Sequence, residues 1–361
     1  MKILRGLIAA LFVFVPLFIL MPSSSAATTQ NIILVEPPHR DYQNIFFGDA
    51  FALSLRPTGT LGLKVFAPVQ EPRTWLIDAA LIDEVQALSA KNSDAQKWLD
   101  QLKLVSITDS IIAVPYAHPD LTLTKRLAPT ELNYYFEFSK NKLQEFFGRD
   151  VIIDKTANWS NGKAKISSEA ASAYTYNRRA LVFMNTVIPS IQLDDFRSRL
   201  AYLLSSGMSV YRQSELATSA NLALVAEKRK LRIIGGNYRL TSSREKVPVT
   251  LVNDFDVPLK ISLHLMPQTS RIELGDIGEI TLEAHSKTQV LIPVTVIASG
   301  TTTVIAEFRN NKGKTFNDIS VLTLSLSVIS PAVAWFTTGA ALMLFLAAVA
   351  QSVRRVRRSR R

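Results

Sequence analysis

Residues 332–350, AVAWFTTGAALMLFLAAVA, are followed by arginine at 354, 355, 357, 358, 360 and 361. Nineteen residues without a charge rise about 28 Å as a helix, close to the hydrocarbon thickness of a bilayer. The stretch therefore reads as one membrane span. Arginine-rich flanks stay on the cytoplasmic side, so the tail is expected inside the cell and everything before Ile329 outside. The rest of the chain is organised by that anchor.

Outward from the anchor toward the amino terminus, the apolar residues alternate. Val247, Val249 and Leu251 do so, as do Leu259, Ile261, Leu263 and Leu265, then Val290, Ile292, Val294 and Val296, then Leu322, Leu324, Leu326 and Val328. A period of two marks strands with one buried face. Asn253-Asp254, Ser299-Gly300 and Asn311-Lys312-Gly313 supply turns between them. About seven short strands in roughly ninety residues, with no helical stretch, predict an immunoglobulin-like β-sandwich without the cysteine pair of antibody domains.

Further upstream, strands alternate with helices. Ile32–Val35, Leu61–Phe66, Thr74–Ile77, Ser110–Val114, Val151–Ile153 and Leu181–Met184 read as strands. Helices are expected after Asp78, from Ser93 as N-cap, from Thr130 to a stop at Gly148, and after Asp194. The fold class is thus α+β multidomain: an N-terminal α/β region, incomplete and barrel-like, then the sandwich and one transmembrane helix. At the amino terminus, Lys2 and Arg5 precede an apolar run from Gly6 to Met21 and small residues up to Ala27, the pattern of a secretory signal. The expected divisions are 1–27 signal peptide, 28–220 α/β domain, 231–329 sandwich, 331–351 span and 352–361 cytoplasmic tail.

The net charge of +11 does not describe a nucleic-acid surface. Six positive charges lie in the tail and two in the leader, neither with an acid, which leaves +3 for the ectodomain. The chain has no cysteine, so an exported domain must be stabilised by core burial alone.

Candidate chemistry gathers where apolar runs end in ionisable residues: Glu36 with His39, Asp78, His118 with Asp120, and Asp154. In parallel α/β folds the carboxyl ends of strands share a rim, and loops distant in sequence assemble sites there. Asp78 and Asp120 as carboxylates with His118 as ligand or proton shuttle would suit acid/base work on a glycan, with Glu36, His39 and Asp154 as binding residues. The competing reading makes Asp78 and Asp120 helix N-caps and Asp154 a turn residue, and it is the preferred one. No His-x-x-x-His pair, phosphate loop, Gly-x-Ser-x-Gly or nucleophilic cysteine occurs, so neither metal nor cofactor is expected.

A wider resemblance rests on Val35-Glu36-Pro37-Pro38-His39-Arg40, Thr74-Trp75-Leu76-Ile77-Asp78, Ala80-Leu81-Ile82-Asp83-Glu84-Val85 and Trp98-Leu99. Pro115-Tyr116-Ala117-His118-Pro119-Asp120-Leu121, Tyr238 to Ser243, Val247-Pro248-Val249-Thr250 and Asn253 extend it. With the anchor and arginine tail, the chain resembles a family of actinobacterial envelope proteins of unknown function, typically encoded beside the flippase for the lipid-linked peptidoglycan precursor. That resemblance implies an extracytoplasmic domain similar to polysaccharide-deacetylase or glycosidase barrels, an immunoglobulin-like domain and one membrane helix. The family usually has an acid where this chain has His118, and larger relatives carry an extra β-domain before the first motif.

Three functions are therefore expected in order. The first is a non-enzymatic scaffold that binds cell-wall glycan or an envelope membrane protein such as the flippase. The second is a deacetylase or glycosidase of wall glycan. The third is a receptor for a small exported ligand, which requires an apolar pocket.

Overall fold

The computed structural model describes residues 30–68, 73–156, 165–327 and 331–359. The expected signal peptide lies outside the described residues. The first region begins with β1 (Gln30–Leu34), α1 (Ala50–Ser54), α2 (Thr60–Phe66), β2 (Arg73–Ile77), α3 (Ala79–Ser89), α4 (Ser93–Val105) and β3 (Ser110–Ala113). It continues with α5 (Leu121–Leu127), α6 (Glu131–Phe147), β4 (Ile152–Ile153), α7 (Ser168–Met184), α8 (Asp194–Arg199) and α9 (Val210–Arg229), with a 3-10 turn at Leu200–Leu204.

The four strands pair in parallel and in chain order, β1-β2-β3-β4. Parallel neighbours need crossovers, and here helices supply them, so all four carboxyl ends fall on one edge. Among the described residues no further strand joins β1 to β4, and the sheet is open. Its outer strand is blunted: Lys64 Nζ donates to the Ile33 carbonyl at 2.8 Å. Trp75 at the centre is fully buried and donates its indole N–H to Asp109 Oδ2 at 2.8 Å.

Two expected strands are helices. Alternation would have placed Leu61, Leu63 and Val65 on one face, yet Leu61, Gly62 and Val65 are buried while Leu63 is exposed, the spacing of α2. Gly62 lies so close to the Arg56 carbonyl that any Cβ would collide with it. Leu181 and Met184 extend a stripe that starts with Ala170, Ala173, Tyr174 and Asn177 on α7, a period only visible over the whole helix. The cap of α4 is Asn92 rather than Ser93; its Oδ1 accepts from the N–H groups of Asp94 and Ala95.

The second region contains nine strands among the described residues: β5 (Leu231–Ile234), β6 (Gly236–Leu240), β7 (Arg244–Asn253), β8 (Leu259–Pro267), β9 (Ile272–Leu274), β10 (Glu279–Leu282), β11 (Ser286–Val296), β12 (Gly300–Arg309) and β13 (Thr315–Leu326). They form two sheets, β10-β8-β12-β13-β6 and β5-β7-β11-β9, antiparallel except where β6 joins β13. Val247, Val249, Leu251, Leu259, Ile261, Ile292, Val294, Leu322 and Leu324 all face the interior. Asn253 is fully buried at the end of β7: its Nδ2 donates to the carbonyls of Val257, Leu282 and Glu283, and its Oδ1 accepts from Phe255 N–H.

The chain ends in α10 (Pro331–Ser359). Trp335–Arg355 is long and apolar enough to cross a membrane, and none of it is buried against the rest of the protein; Trp335 is 81% exposed. A soluble core helix would be covered, so the exposed apolar cylinder fits a single-pass membrane protein.

Candidate functional site

The loops after β1, β2 and β3 meet at the carboxyl edge of the parallel sheet. Asp78, the residue after β2, caps α3: its Oδ1 accepts from Ala80 N–H at 2.9 Å and also from Ala117 N–H, across the rim, at 2.8 Å. Asp78 Oδ2 lies 3.0 Å from Nδ1 of His118 in the loop after β3. His118 Nε2 in turn lies 3.2 Å from Oγ of Ser205, the residue ending the 3-10 turn that precedes α9. With Asp78 accepting, the proton belongs on Nδ1, which leaves Nε2 of the neutral ring to accept from the Ser205 hydroxyl. The connectivity is that of a carboxylate, an imidazole and a hydroxyl in series.

The backbone around His118 is strained. Ala117 and His118 have φ of 59° and 33°, the left-handed region that a Cβ disfavours. Two such residues in succession persist only where surrounding bonds over-determine them. Here Ala117 N–H is held by Asp78 and His118 N–H by the Pro115 carbonyl at 2.8 Å.

The series is enclosed. Asp78 is 0%, His118 4% and Ser205 1% exposed. Pro119 pairs with Ser205 as an isolated bridge, and Asp120 N–H donates to the Leu204 carbonyl at 2.8 Å. Asp120 caps α5 through Oδ1, which accepts from Leu123 N–H at 2.8 Å; its Oδ2 is buried with no hydrogen-bond partner among the described residues. Both carboxylates thus act as caps, and both are buried.

His39 stacks on Phe51 with ring centroids 4.1 Å apart and donates its backbone N–H to both oxygens of Glu84 at 3.1 Å. Burial, and after it the charge of Arg212, pushes the His39 imidazole down to about 4. Burial pushes the Glu84 carboxyl up to about 8, against the opposing pull of Arg40 and the His39 N–H. Glu36 is half-buried on the same loop and takes no part in the series. Asp154 sits apart in a turn, accepting from the N–H and hydroxyl of Thr156. The structure thus joins Asp78 and His118 directly, sets Asp120 beside them and leaves Asp154 out.

Ser205 and Glu84 were not among the sequence candidates. Glu84 carried a signal, because it stands three residues after Leu81 on the apolar stripe of α3. Ser205 carried none, as a serine beside Ser206-Gly207 reads like any loop. Among the described residues no three His, Cys, Asp or Glu side chains converge on a metal position.

A separate cavity of about 140 Å³ lies between the start of α6, the end of α7, α8 and the 3-10 turn, lined by Glu131, Tyr135, Arg178, Leu181, Arg197 and Leu200 among others.

Comparison with known proteins gives a fold likeness over about a quarter of the chain. WR4, a C. elegans MSP family member, is 6% identical with a TM-score of 0.22, covering 27% of this chain and 97% of its own. The ASH/PapD-like domain of human CEP192 is 16% identical with a TM-score of 0.22, covering 28% and 85%. E. coli alpha-2-macroglobulin is 14% identical with a TM-score of 0.22; the likeness covers 27% of this chain but only 6% of that protein. No curated protein matches the chain. Residues 218–361, from within α9 through the sandwich to the arginine tail, are similar to a family described as one of unknown function, DUF6049.

Proposed function

We propose that this protein is a single-pass, outward-facing envelope component that binds glycan or a membrane partner during cell-wall assembly, without catalysis of its own. The observation that carries the reading is the uncovered apolar helix Trp335–Arg355 leading into the arginine tail. Arginines resist translocation, which supports a cytoplasmic tail with the α/β region and sandwich outside. The engagement of both Asp78 and Asp120 as helix caps supports this reading over a glycosidase that uses the two as its carboxylate pair. The wall assignment rests on the resemblance to envelope proteins encoded beside the precursor flippase.

The absence of cysteine makes the orientation testable without background. Thr301→Cys on the sandwich surface should react with a membrane-impermeant maleimide in intact cells, and Ser352→Cys only after permeabilisation. The reverse pattern overturns the topology. Crosslinking in membranes should then recover an envelope protein or glycan; recovery of neither removes the scaffold role.

One observation favours a second reading, hydrolysis of an acyl group from wall glycan. In it, Ser205 Oγ attacks the acyl carbonyl, and His118 Nε2 takes the hydroxyl proton and passes it to the leaving oxygen or nitrogen. Water deprotonated by His118 then cleaves the acyl-serine ester to release the acid and restore Ser205, with Asp78 steadying the imidazolium in both halves. The Pro119 and Leu204 cover must open for substrate to reach Ser205. A fluorophosphonate probe that labels the wild type and not Ser205→Ala would establish this reading, and no labelling under any condition would end it.

A further inference from the structure

The 140 Å³ cavity has a floor of Tyr135, Leu181, Leu193 and Leu200, all buried, and a mouth edged by Val182, which is 64% exposed. Its charge is unevenly settled. Glu131 accepts from Arg197 in a two-pronged bond, Nε at 2.8 Å and Nη2 at 3.0 Å, and that guanidinium lies 3.8 Å over the Tyr134 ring. Arg178 is held more loosely, with Nη2 3.6 Å from Glu131 and 3.1 Å from Thr130 Oγ1. Its Nε is buried and has no hydrogen-bond partner among the described residues. A guanidinium has five donors in a fork, so Arg178 keeps unused donors beside an apolar hollow.

We infer that this cavity binds a small organic monocarboxylate with an aromatic or branched apolar body, its carboxylate against Arg178. The volume suits such a body, since an apolar cavity of about 150 Å³ accommodates a benzene-sized molecule. One carboxylate matches the fork of one arginine. A doubly charged phosphate is disfavoured, because two arginines and Glu131 leave a single positive charge in the lining, and Glu131 repels a second negative one. Tyr135 does not compete for the ligand, as its hydroxyl is engaged with that of Tyr174 at 3.0 Å. The inference is independent of the scaffold reading and of the side of the membrane on which the domain lies.

The test uses the full-length protein in detergent and ligand-observed NMR titration with benzoate, benzamide and inorganic phosphate. Benzoate should bind saturably, benzamide at least tenfold more weakly, and phosphate should not displace benzoate. Arg178→Gln should weaken benzoate at least tenfold with an unchanged melting curve. Val182→Trp, at an exposed position that tolerates bulk, should block the mouth and weaken benzoate and benzamide together. No saturable binding, equal affinity for benzoate and benzamide, displacement by phosphate, or indifference to both substitutions would each overturn the assignment.

Discussion

The sandwich and the rim of the parallel sheet both bury polar side chains, and they settle them differently. In the sandwich, Asn253 meets three carbonyls and one N–H of the main chain, so both of its amide hydrogens and its oxygen are engaged by main-chain groups, which do not titrate. At the rim of the parallel sheet, Asp78, His118, Ser205, Asp120 and Glu84 are also buried; main-chain N–H groups meet the three carboxylates, but Asp78, His118 and Ser205 are joined side chain to side chain as well. Asp120 Oδ2 and His39 Nε2 are left over. The contrast separates a fastening from a site: the first uses fixed partners to close a fold, whereas the second keeps ionisable groups and spare capacity on loops held by a rigid sheet.

The fastening should be the more costly to break. Asn253→Ala removes two donor hydrogens shared among three carbonyls and the acceptor of Phe255 N–H inside the sandwich, and a buried group left unpaired costs about 1–3 kcal/mol. With partial relaxation the loss should be about 4 kcal/mol, read as a lowered urea midpoint for the β-sheet signal. A loss below about 1 kcal/mol would mean that this end of the sandwich is open to water, and the contrast with the rim would fail.

The rim should show itself through pH instead. Glu84, with its carboxyl raised to about 8, favours the protonated form when folded. Its contribution is complete below about 4.5 and is lost as pH rises toward 8, because the unfolded chain ionises first. His39, lowered to about 4, acts in the opposite sense: its contribution is present above 6.5 and is lost as pH falls toward 4. Glu84→Gln keeps an acceptor for the His39 N–H and cannot ionise. The stability of this variant relative to wild type should therefore rise between pH 5 and pH 8.5, by on the order of 3 kcal/mol. Parallel pH profiles for the two proteins would show that Glu84 is not buried as described.

Much of this contrast is legible in the order of the residues alone. Val247, Val249 and Leu251 repeat every second residue with one face buried, so the sandwich strands announce themselves. Asp78 as a cap follows from its place ahead of an apolar helical stripe. Short apolar runs mislead where neither period is long enough to decide: Leu61–Phe66 and Leu181–Met184 are helical because their partners lie a turn or more away. The rim is legible only as a set of strand ends. Parallel pairing explains why Asp78 and His118 meet, but the arrival of Ser205 from 87 residues further along depends on how the 3-10 turn packs, which leaves no mark in composition or spacing.

Within the rim, the series itself should be energetically light. Ser205→Ala removes one neutral hydrogen bond and leaves His118 Nε2 without a donor, at a cost of about 1 kcal/mol measured by urea unfolding. A cost as large as that of Asn253→Ala would make Ser205 a fastening too, and would remove the reason to look there for chemistry.

The smallest expected effect is the most discriminating, because its sign is opposite to that of Asn253→Ala and Ser205→Ala. Ala117 holds φ at 59° with a Cβ that disfavours the conformation by roughly 1–2 kcal/mol, whereas glycine adopts it freely. Ala117→Gly gives back that strain, but it frees the unfolded chain and removes one buried methyl. The net change should be a gain of about 0.5 kcal/mol, visible as a slightly raised urea midpoint. The N–H to Asp78 Oδ1 survives the substitution, so the gain isolates the backbone from the hydrogen-bond series. If the variant is destabilised, the left-handed turn is not stored strain. The loop before His118 would then be, like Asn253, a means of closing the fold.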